Sequence, residues 1–422
     1  VAGLGAGKYP VTVTYSGDGN FTGSSRNTEF TVSKINAGMN VIVSNITYGD
    51  NETVIVTVNP EATGTVTITV NGKDYTQTLV NGKATFTVSG LAAGNYTVVV
   101  SYSGDGNFTG STKDAEFTVS KISSGMNVVT GNVTYGANGT VTVTVNPEAT
   151  GKVTITVNGV AHEVDIVNGK ATYTVVNPAA GKYTVAVTYD GDANFTGATI
   201  NTEFNVAKIN PGMNVVAGNV TYGADGTVIV TINPEATGKV NITINGVAHE
   251  VDIVDGKAIY TVVNPAAGKY TVTVKYDGDG NFTGATANTE FTIGTVDPSL
   301  GVVVGNITYG NNATVVVNVN PGATGKVNIT VNGKSHIVDI LDGRATLVLS
   351  DLGAGDYTVS VSYDGDGKFT GDNAETEFIV SAINPDMNIV VSNITYGNNA
   401  TLTVTLNSGA TGKVNITVNG VD

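Results

Sequence analysis

Five tyrosines recur at one interval: Tyr48, Tyr135, Tyr222, Tyr309 and Tyr396 are each 87 residues apart. Tyr15, Tyr102, Tyr189, Tyr276 and Tyr363 keep the same spacing, as do Met39, Met126, Met213 and Met387, with Leu300 in the fourth slot. A period that never slips means that one supersecondary unit is repeated along the chain. The 422 residues then divide into a partial repeat 1–34, complete repeats 35–121, 122–208, 209–295 and 296–382, and a partial repeat 383–422. Duplication alone can make copies agree. Positions where they differ therefore carry more information than positions where they match.

Within a repeat the pattern is all-β. In 35–121, Val54, Val56 and Val58 alternate with polar positions, and Val66, Ile68 and Val70 alternate with Thr65, Thr67 and Thr69. Ala84, Phe86 and Val88 continue the alternation, followed by Tyr96, Val98, Val100 and Tyr102, then Phe117 and Val119. Period-two alternation in short runs predicts strands with one buried and one wet face. Asn71-Gly72 and Asn81-Gly82 fall between such runs and predict hairpin turns. Pro60 ends the strand before it by removing a ladder donor. About seven short strands and no helical period predict a tandem array of immunoglobulin-like β-sandwich domains.

The segment Leu91-Ala92-Ala93-Gly94-Asn95-Tyr96 puts a tyrosine after a tight glycine turn, at the start of the penultimate strand. Tyr9, Tyr183, Tyr270 and Tyr357 hold the same slot. This placement predicts a tyrosine corner, in which the phenol bonds back to the backbone. An ordinary core tyrosine is the alternative. Linkers are short, and Pro211, Pro298 and Pro385 stiffen three of them, which predicts a rod-like array.

Composition sets further bounds. There is no cysteine, so neither disulfides nor thiolate zinc sites are available. A net charge of −15 disfavours nucleic acid and anionic lipid. No apolar run is long enough for a membrane-spanning helix. The chain starts at Val1 with no Met, basic n-region or apolar h-region, which predicts a window on a longer polypeptide. The two partial repeats together lack thirteen residues of the 87-residue register (75–87), so their ends are expected to continue into further copies.

The run Tyr102-Ser103-Gly104-Asp105-Gly106-Asn107-Phe108-Thr109-Gly110-Ser111 resembles the Tyr-x-Gly-Asp-x-Asn-Phe/Tyr-x-x-Ser signature of group-3 bacterial Ig-like repeats. It recurs from Tyr15, Tyr189, Tyr276 and Tyr363, with Ala198, Ala285 and Asp372 in the last position and Lys368 in place of the asparagine. The resemblance covers essentially the whole chain. It implies a cell-surface location and a tandem architecture like that of giant adhesin-like proteins, and the Thr/Asn-rich flavour is most similar to those of methanogenic archaea. It names no ligand, because fold does not fix function.

Four constellations could carry chemistry. Asn-x-Thr sequons begin at Asn20, Asn45, Asn51, Asn95, Asn107, Asn132, Asn138, Asn194, Asn219, Asn241, Asn281, Asn306, Asn312, Asn328, Asn393, Asn399 and Asn415. Thr67 and Thr154 become Asn241, Asn328 and Asn415, creating a sequon three times at an outward strand position. These sites are candidates for N-glycosylation of an exported chain, with compositional bias as the alternative. Asp190, Asp192 and Asn194, and likewise Asp277, Asp279 and Asn281, have the alternating oxygen ligands of calcium loops. Ser16, Ser103 and Lys368 break that pattern, and the same residues suit a tight turn without metal.

Isopeptide chemistry needs a core lysine in each domain, but the Lys34, Lys121, Lys208 column gives way to Thr295 and Ala382. Lys83, Lys170 and Lys257 give way to Arg344, and one glutamine, Gln77, leaves no ester series. His162, His249 and His336 occupy one column, a domain apart, with Tyr75 in the second copy, so they cannot share a catalytic site.

The sequence therefore reads as the non-enzymatic stalk of an extracellular, cell-surface protein, with no cofactor. Its partners are neighbouring repeats of the same chain. A rival reading has the repeats bind cell-surface glycans or another cell by avidity, and a third makes the chain a subunit of a polymerised filament.

Overall fold

The computed structural model describes residues 1–421; Asp422, the last residue of the partial repeat 383–422, lies outside the described residues. The chain divides into two compact units, Val1–Ile209 and Asn210–Asp422. Among the described residues every regular element is a strand and none is a helix.

In the first unit, repeat 122–208 shows how the pattern is used. Its strands are β1 (Ile122–Ser123), β2 (Asn127–Thr130), β3 (Val133–Thr134), β4 (Gly139–Thr144), β5 (Lys152–Val157), β6 (Val160–Asp165), β7 (Lys170–Val175), β8 (Gly181–Gly191) and β9 (Phe195–Ala207). One sheet runs β2-β4-β7. The other runs β1-β9-β8-β5-β6, with β3 also paired to β9. The long pairs are antiparallel, with Tyr183 opposite Phe204 and Ile155 opposite Val187. β1 and β3 lie parallel to β9.

Val141 and Val143 face Val153, Ile155, Val185 and Val187 across the gap between the sheets, and Phe195 and Phe204 close the core. Each such buried side chain stabilises the fold by about 1.5–3 kcal/mol, the main favourable term in a chain without disulfides. Repeat 35–121 repeats the two sheets. The segment 1–34 forms an antiparallel hairpin, Gly7–Gly17 with Thr22–Val32, in the register of the last two strands of a repeat.

In the second unit, repeats 209–295 and 296–382 each carry a three-stranded and a five-stranded sheet with the same strand order. Beyond them, Asn388–Val391 pairs with Leu402–Thr405.

The sandwich differs from the sequence expectation in two ways. A repeat has eight principal strands rather than seven, because its first strand is split: β2 joins one sheet and β3 the other, either side of Gly131-Asn132. The two Asn-Gly pairs also do different work. Asn71-Gly72 closes a true hairpin within one sheet, whereas Asn81-Gly82 turns the chain from one sheet to the other. Its carbonyl explains the difference: Gly82 O accepts from Val58 N at 2.8 Å, docking the turn on the end of the neighbouring strand. A Cβ at Gly82 would lie 2.6 Å from Asn59 O, so only glycine fits that contact.

Candidate functional site at the repeat junction

The tyrosine slot predicted as a corner behaves as one in every copy. Tyr183 donates to Ala179 O at 3.1 Å, Tyr96 to Ala92 O, Tyr270 to Ala266 O, Tyr357 to Gly353 O and Tyr9 to Gly5 O. Each bond holds the loop before the penultimate strand, and in the first unit the loops of Tyr9 and Tyr96 meet the next repeat through Ala6 and Ala93.

The Tyr-x-Gly-Asp-x-Asn-Phe run forms the opposite half of the contact, and each residue in it has a physical reason. Tyr189 is buried and donates to Thr150 O at 3.1 Å. Gly191 adopts φ +88°, where a Cβ would lie 2.6 Å from Phe195 O. Asp192 accepts from Asn194 N and Phe195 N with one oxygen, and from Thr150 N and Oγ1 with the other. Burial alone would raise its pKa, but the donors from Thr150, Asn194 and Phe195 outweigh it and hold the carboxyl at about 2. Burial, with the Asp192 carboxylate beside it, pushes the Tyr189 phenol up to about 12.

The loop tip reaches out of its own sandwich. Asn194 Oδ1 accepts from Ala93 N at 3.0 Å, in the corner loop of repeat 35–121. Phe195 meets the ring of Tyr48 edge-on at 5.7 Å, and Tyr48 donates to Glu148 Oε2 at 3.2 Å. Lys121 Nζ caps the carbonyl of Asp192 at 2.5 Å. The earlier junction in the same unit repeats the clasp, with Asn107 Oδ1 accepting from Ala6 N at 2.8 Å. In the second unit Lys368 stands in the asparagine slot. Its ammonium lies 5.6 Å from the centre of the Tyr222 ring, and Phe369 meets the same ring edge-on. A cation–π contact thus replaces an amide hydrogen bond at an equivalent junction. Sequence reasoning took this run as a family mark and a turn but missed its role between repeats. The signal available was the Asn-Phe pair, kept in four of the five runs, alongside the fixed tyrosine of the Tyr48 column.

The calcium candidates therefore meet other demands. Both oxygens of Asp192 are taken by backbone and hydroxyl donors, and Asn194 serves the junction. Asp190 is exposed beside them. Asp279 repeats the pattern with Asn281 N, Phe282 N, Thr237 N and Thr237 Oγ1, and Asp277 pairs with Lys275 at 2.7 Å.

The sequons fall into columns with distinct surroundings. Asn45, Asn132, Asn219 and Asn306 are exposed, and each accepts with its side-chain oxygen from a backbone N–H of the last strand: Thr118, Asn205, Thr292 and Ile379 respectively. They pin the second half of the split strand, a role the sequon reading missed. Asn138 accepts from Asn177 N, and Asn95 from Thr118 Oγ1. Asn20, Asn51, Asn312, Asn393 and Asn399 are exposed. Asn241 lies on the outer face of its sheet and Asn415 is exposed, whereas Asn328 Oδ1 is buried with no partner among the described residues.

His162 stacks on Tyr173 with ring centres 4.1 Å apart and shares a 2.9 Å hydrogen bond with it, as His249 does with Tyr260. Each pair bridges the two sheets at their open edge. No such ring contact joins His336 to Leu347, which holds the tyrosine's place in its repeat.

The geometry defines a tandem immunoglobulin-like β-sandwich protein whose repeats are coupled by a loop–corner clasp. The profile of the bacterial Ig-like domain (group 3) matches residues 40–120, 126–207 and 301–381, more than half of the chain, and the chain belongs to that family. No curated protein sequence matches it. Among solved structures, the immunoglobulin domains 1–5 of Sidekick-1 share 13% identity over 90% of this chain and 96% of that one, with a TM-score of 0.24. Titin domains A168–A170 share 13% identity over 61% of this chain and 99% of theirs, with a TM-score of 0.29. Fibronectin(III)-like modules of CbhA from Clostridium thermocellum share 16% over 40% of this chain and 94% of theirs, with a TM-score of 0.19.

Proposed function

We propose that this chain is the shaft of an extracellular, cell-surface adhesin-like protein, spacing a distal module from the cell wall. The carrying observation is the clasp. The asparagines of the family run join one repeat to the next, Asn107 to Ala6 and Asn194 to Ala93, and Lys368, which replaces the asparagine in its run, reaches Tyr222. A loop that bound a free ligand would keep those groups open. Coupling of this kind resists bending at the linker, which is what a spacer needs and an enzyme does not. Exposed sequons on the strand faces suit a glycan coat along the shaft, and the Thr/Asn-rich sequence fits a source among methanogenic archaea.

Protease shaving of intact host cells tests the location, and binding assays of the purified chain on glycans and partner cells test the role. Release of peptides from this chain without saturable binding is expected. Failure to release peptides overturns the location, and saturable binding replaces the spacer with a repeat-based binding module.

A further inference from the structure

The two faces of the sandwiches differ in charge. On the three-stranded sheet of the four complete repeats, no outward position of the strands is Asp or Glu, in a chain with net charge −15. Threonine, valine, isoleucine and asparagine fill that face, with one cation in each repeat: Lys83, Lys170, Lys257 and Arg344. All four cations are exposed, and none forms an ion pair among the described residues. In repeat 209–295 the face is apolar at its centre. Val216 is opposite Ile229, Ile229 is opposite Ile259, and they are 55%, 38% and 54% exposed.

The five-stranded sheet carries its acids outward, with lysines among them at Lys152, Lys239, Lys275 and Lys326. Its outward positions carry a glutamate in every complete repeat: Glu116, Glu203, Glu290 and Glu377. Lys182 and Lys269 pair with the middle two at 2.6 and 2.8 Å. Glu116 and Glu377 form no ion pair among the described residues, because Asn95 and Asp356 stand where Lys182 and Lys269 do.

We propose that the acid-free face of one chain docks on the glutamate-bearing face of a second copy, so that chains associate side by side. The contact is heterologous, joining two different surfaces, and can therefore extend beyond a pair. Charge complementarity selects this partner: two acid-free faces would bring cation against cation, and two acidic faces would repel. Size sets the number of repeats needed. Three strands about 4.8 Å apart and six residues long at about 3.3 Å each cover roughly 300 Å². A standard interface uses about 800 Å² per partner. One repeat is too small for a stable contact, so affinity should come from repetition. A shaft that stayed single would still be a shaft, so this docking and the proposed function fail separately.

Sedimentation velocity on the purified chain over a concentration series, at low and high salt, tests the docking. Average mass should rise with concentration and fall as salt shortens the screening length. The K83E/K170E/K257E/R344E chain should stay monomeric with an unchanged melting temperature, and so should E116K/E377K. Mixing the two should restore association. The variant I229T/I259T copies the threonines that repeat 122–208 carries at Thr142 and Thr172, so it keeps the fold while weakening association. An unmodified chain that is monomeric throughout overturns the proposal. So does a charge variant that associates like the original, or a mixture that fails to associate.

Discussion

Asn194 belongs to one sandwich and serves another: its side-chain oxygen accepts the backbone N–H of Ala93, in the preceding repeat, at 3.0 Å. The bond crosses the linker and contributes nothing to packing within the repeat of Asn194. Asn194→Ala should therefore cost about 1 kcal/mol locally and leave global melting nearly unchanged. Hydrogen exchange should speed up at Ala93 while amides in Gly181–Gly191 keep their protection. Equal loss of protection throughout the repeat would show that the clasp holds the fold and not the junction.

Asp192 makes the same loop sensitive to acid. Its carboxyl sits at about 2 in the folded chain, below the roughly 3.9 of an unfolded aspartate. The stability it contributes is complete above the unfolded value and is lost as pH falls through it toward about 2. Asp105, Asp279 and Asp366 are also held below the usual carboxylate range by hydrogen bonds from the chain around them, so the effect adds over four repeats. Melting temperature should fall between pH 5 and pH 2. Asp192→Asn should lower stability at pH 7 and make the fall shallower; an unchanged slope would rule out the carboxylate as its source.

Calcium should matter little to this loop, because Asp192 already accepts four hydrogen bonds and metal binding would have to break them. Thermal melts with and without chelator should coincide. A drop of many degrees with chelator would show that Asp190 and Asp277, the exposed carboxylates of the two candidate loops, recruit the ion.

How far the sequence could be read depended on whether a residue's partner lies in its own repeat. The period, the alternation of Val54, Val56 and Val58, and the corner tyrosines were legible because strand pleat and turn chemistry are local. Tyr183 needs only Ala179, four residues away. The clasp was not legible, because Asn194 and Ala93 are 101 residues apart and an amide can serve a turn, a sequon or a junction equally well. The asparagines of the Asn45 column were read as sequons for the same reason, since the strand they bind lies 73 residues away. The Asn81-Gly82 turn misled because its dipeptide states the bend of the chain and not which sheet receives the strand that follows.

Glycosylation, proposed for an exported chain, can be tested column by column. N-linked attachment uses Nδ2 and leaves Oδ1, so the Asn45 and Asn132 bonds to the backbone do not forbid it. Asn241 is exposed on an outer sheet face, whereas Asn194 is half-buried at a junction. Peptide mass spectrometry of protein from its native host should find a glycan at Asn241 and little at Asn194. Asn241→Thr, which restores the residue seen at Thr67 and Thr154, should remove that mass without moving the melting temperature. Unmodified peptides at every sequon would leave compositional bias as the reason for the motif.

Ser124 offers the most direct test of the packing account. It is 1% exposed, and its hydroxyl has no hydrogen-bond partner among the described residues. Ala37, Pro211, Pro298 and Pro385 fill the same slot in the other copies. The backbone there needs no hydroxyl: Ser124 O accepts from Asn146 N at 2.8 Å, as Ala37 O accepts from Asn59 N and Pro211 O from Asn233 N. The side chain therefore brings an unsatisfied buried oxygen to a site that alanine fills elsewhere. Ser124→Ala should stabilise the chain by about 1 kcal/mol, the cost of an unpaired buried hydroxyl. Ser124→Pro should fall below Ser124→Ala in stability, because the parallel pairing of Ser123 with Thr196 uses the Ser124 N–H, a ladder donor that proline lacks. Urea midpoints of the two variants against the parent measure both steps. A lower midpoint for Ser124→Ala would show that the hydroxyl is bonded in solution, and that the linker between these repeats is held by a contact the backbone pattern does not reveal.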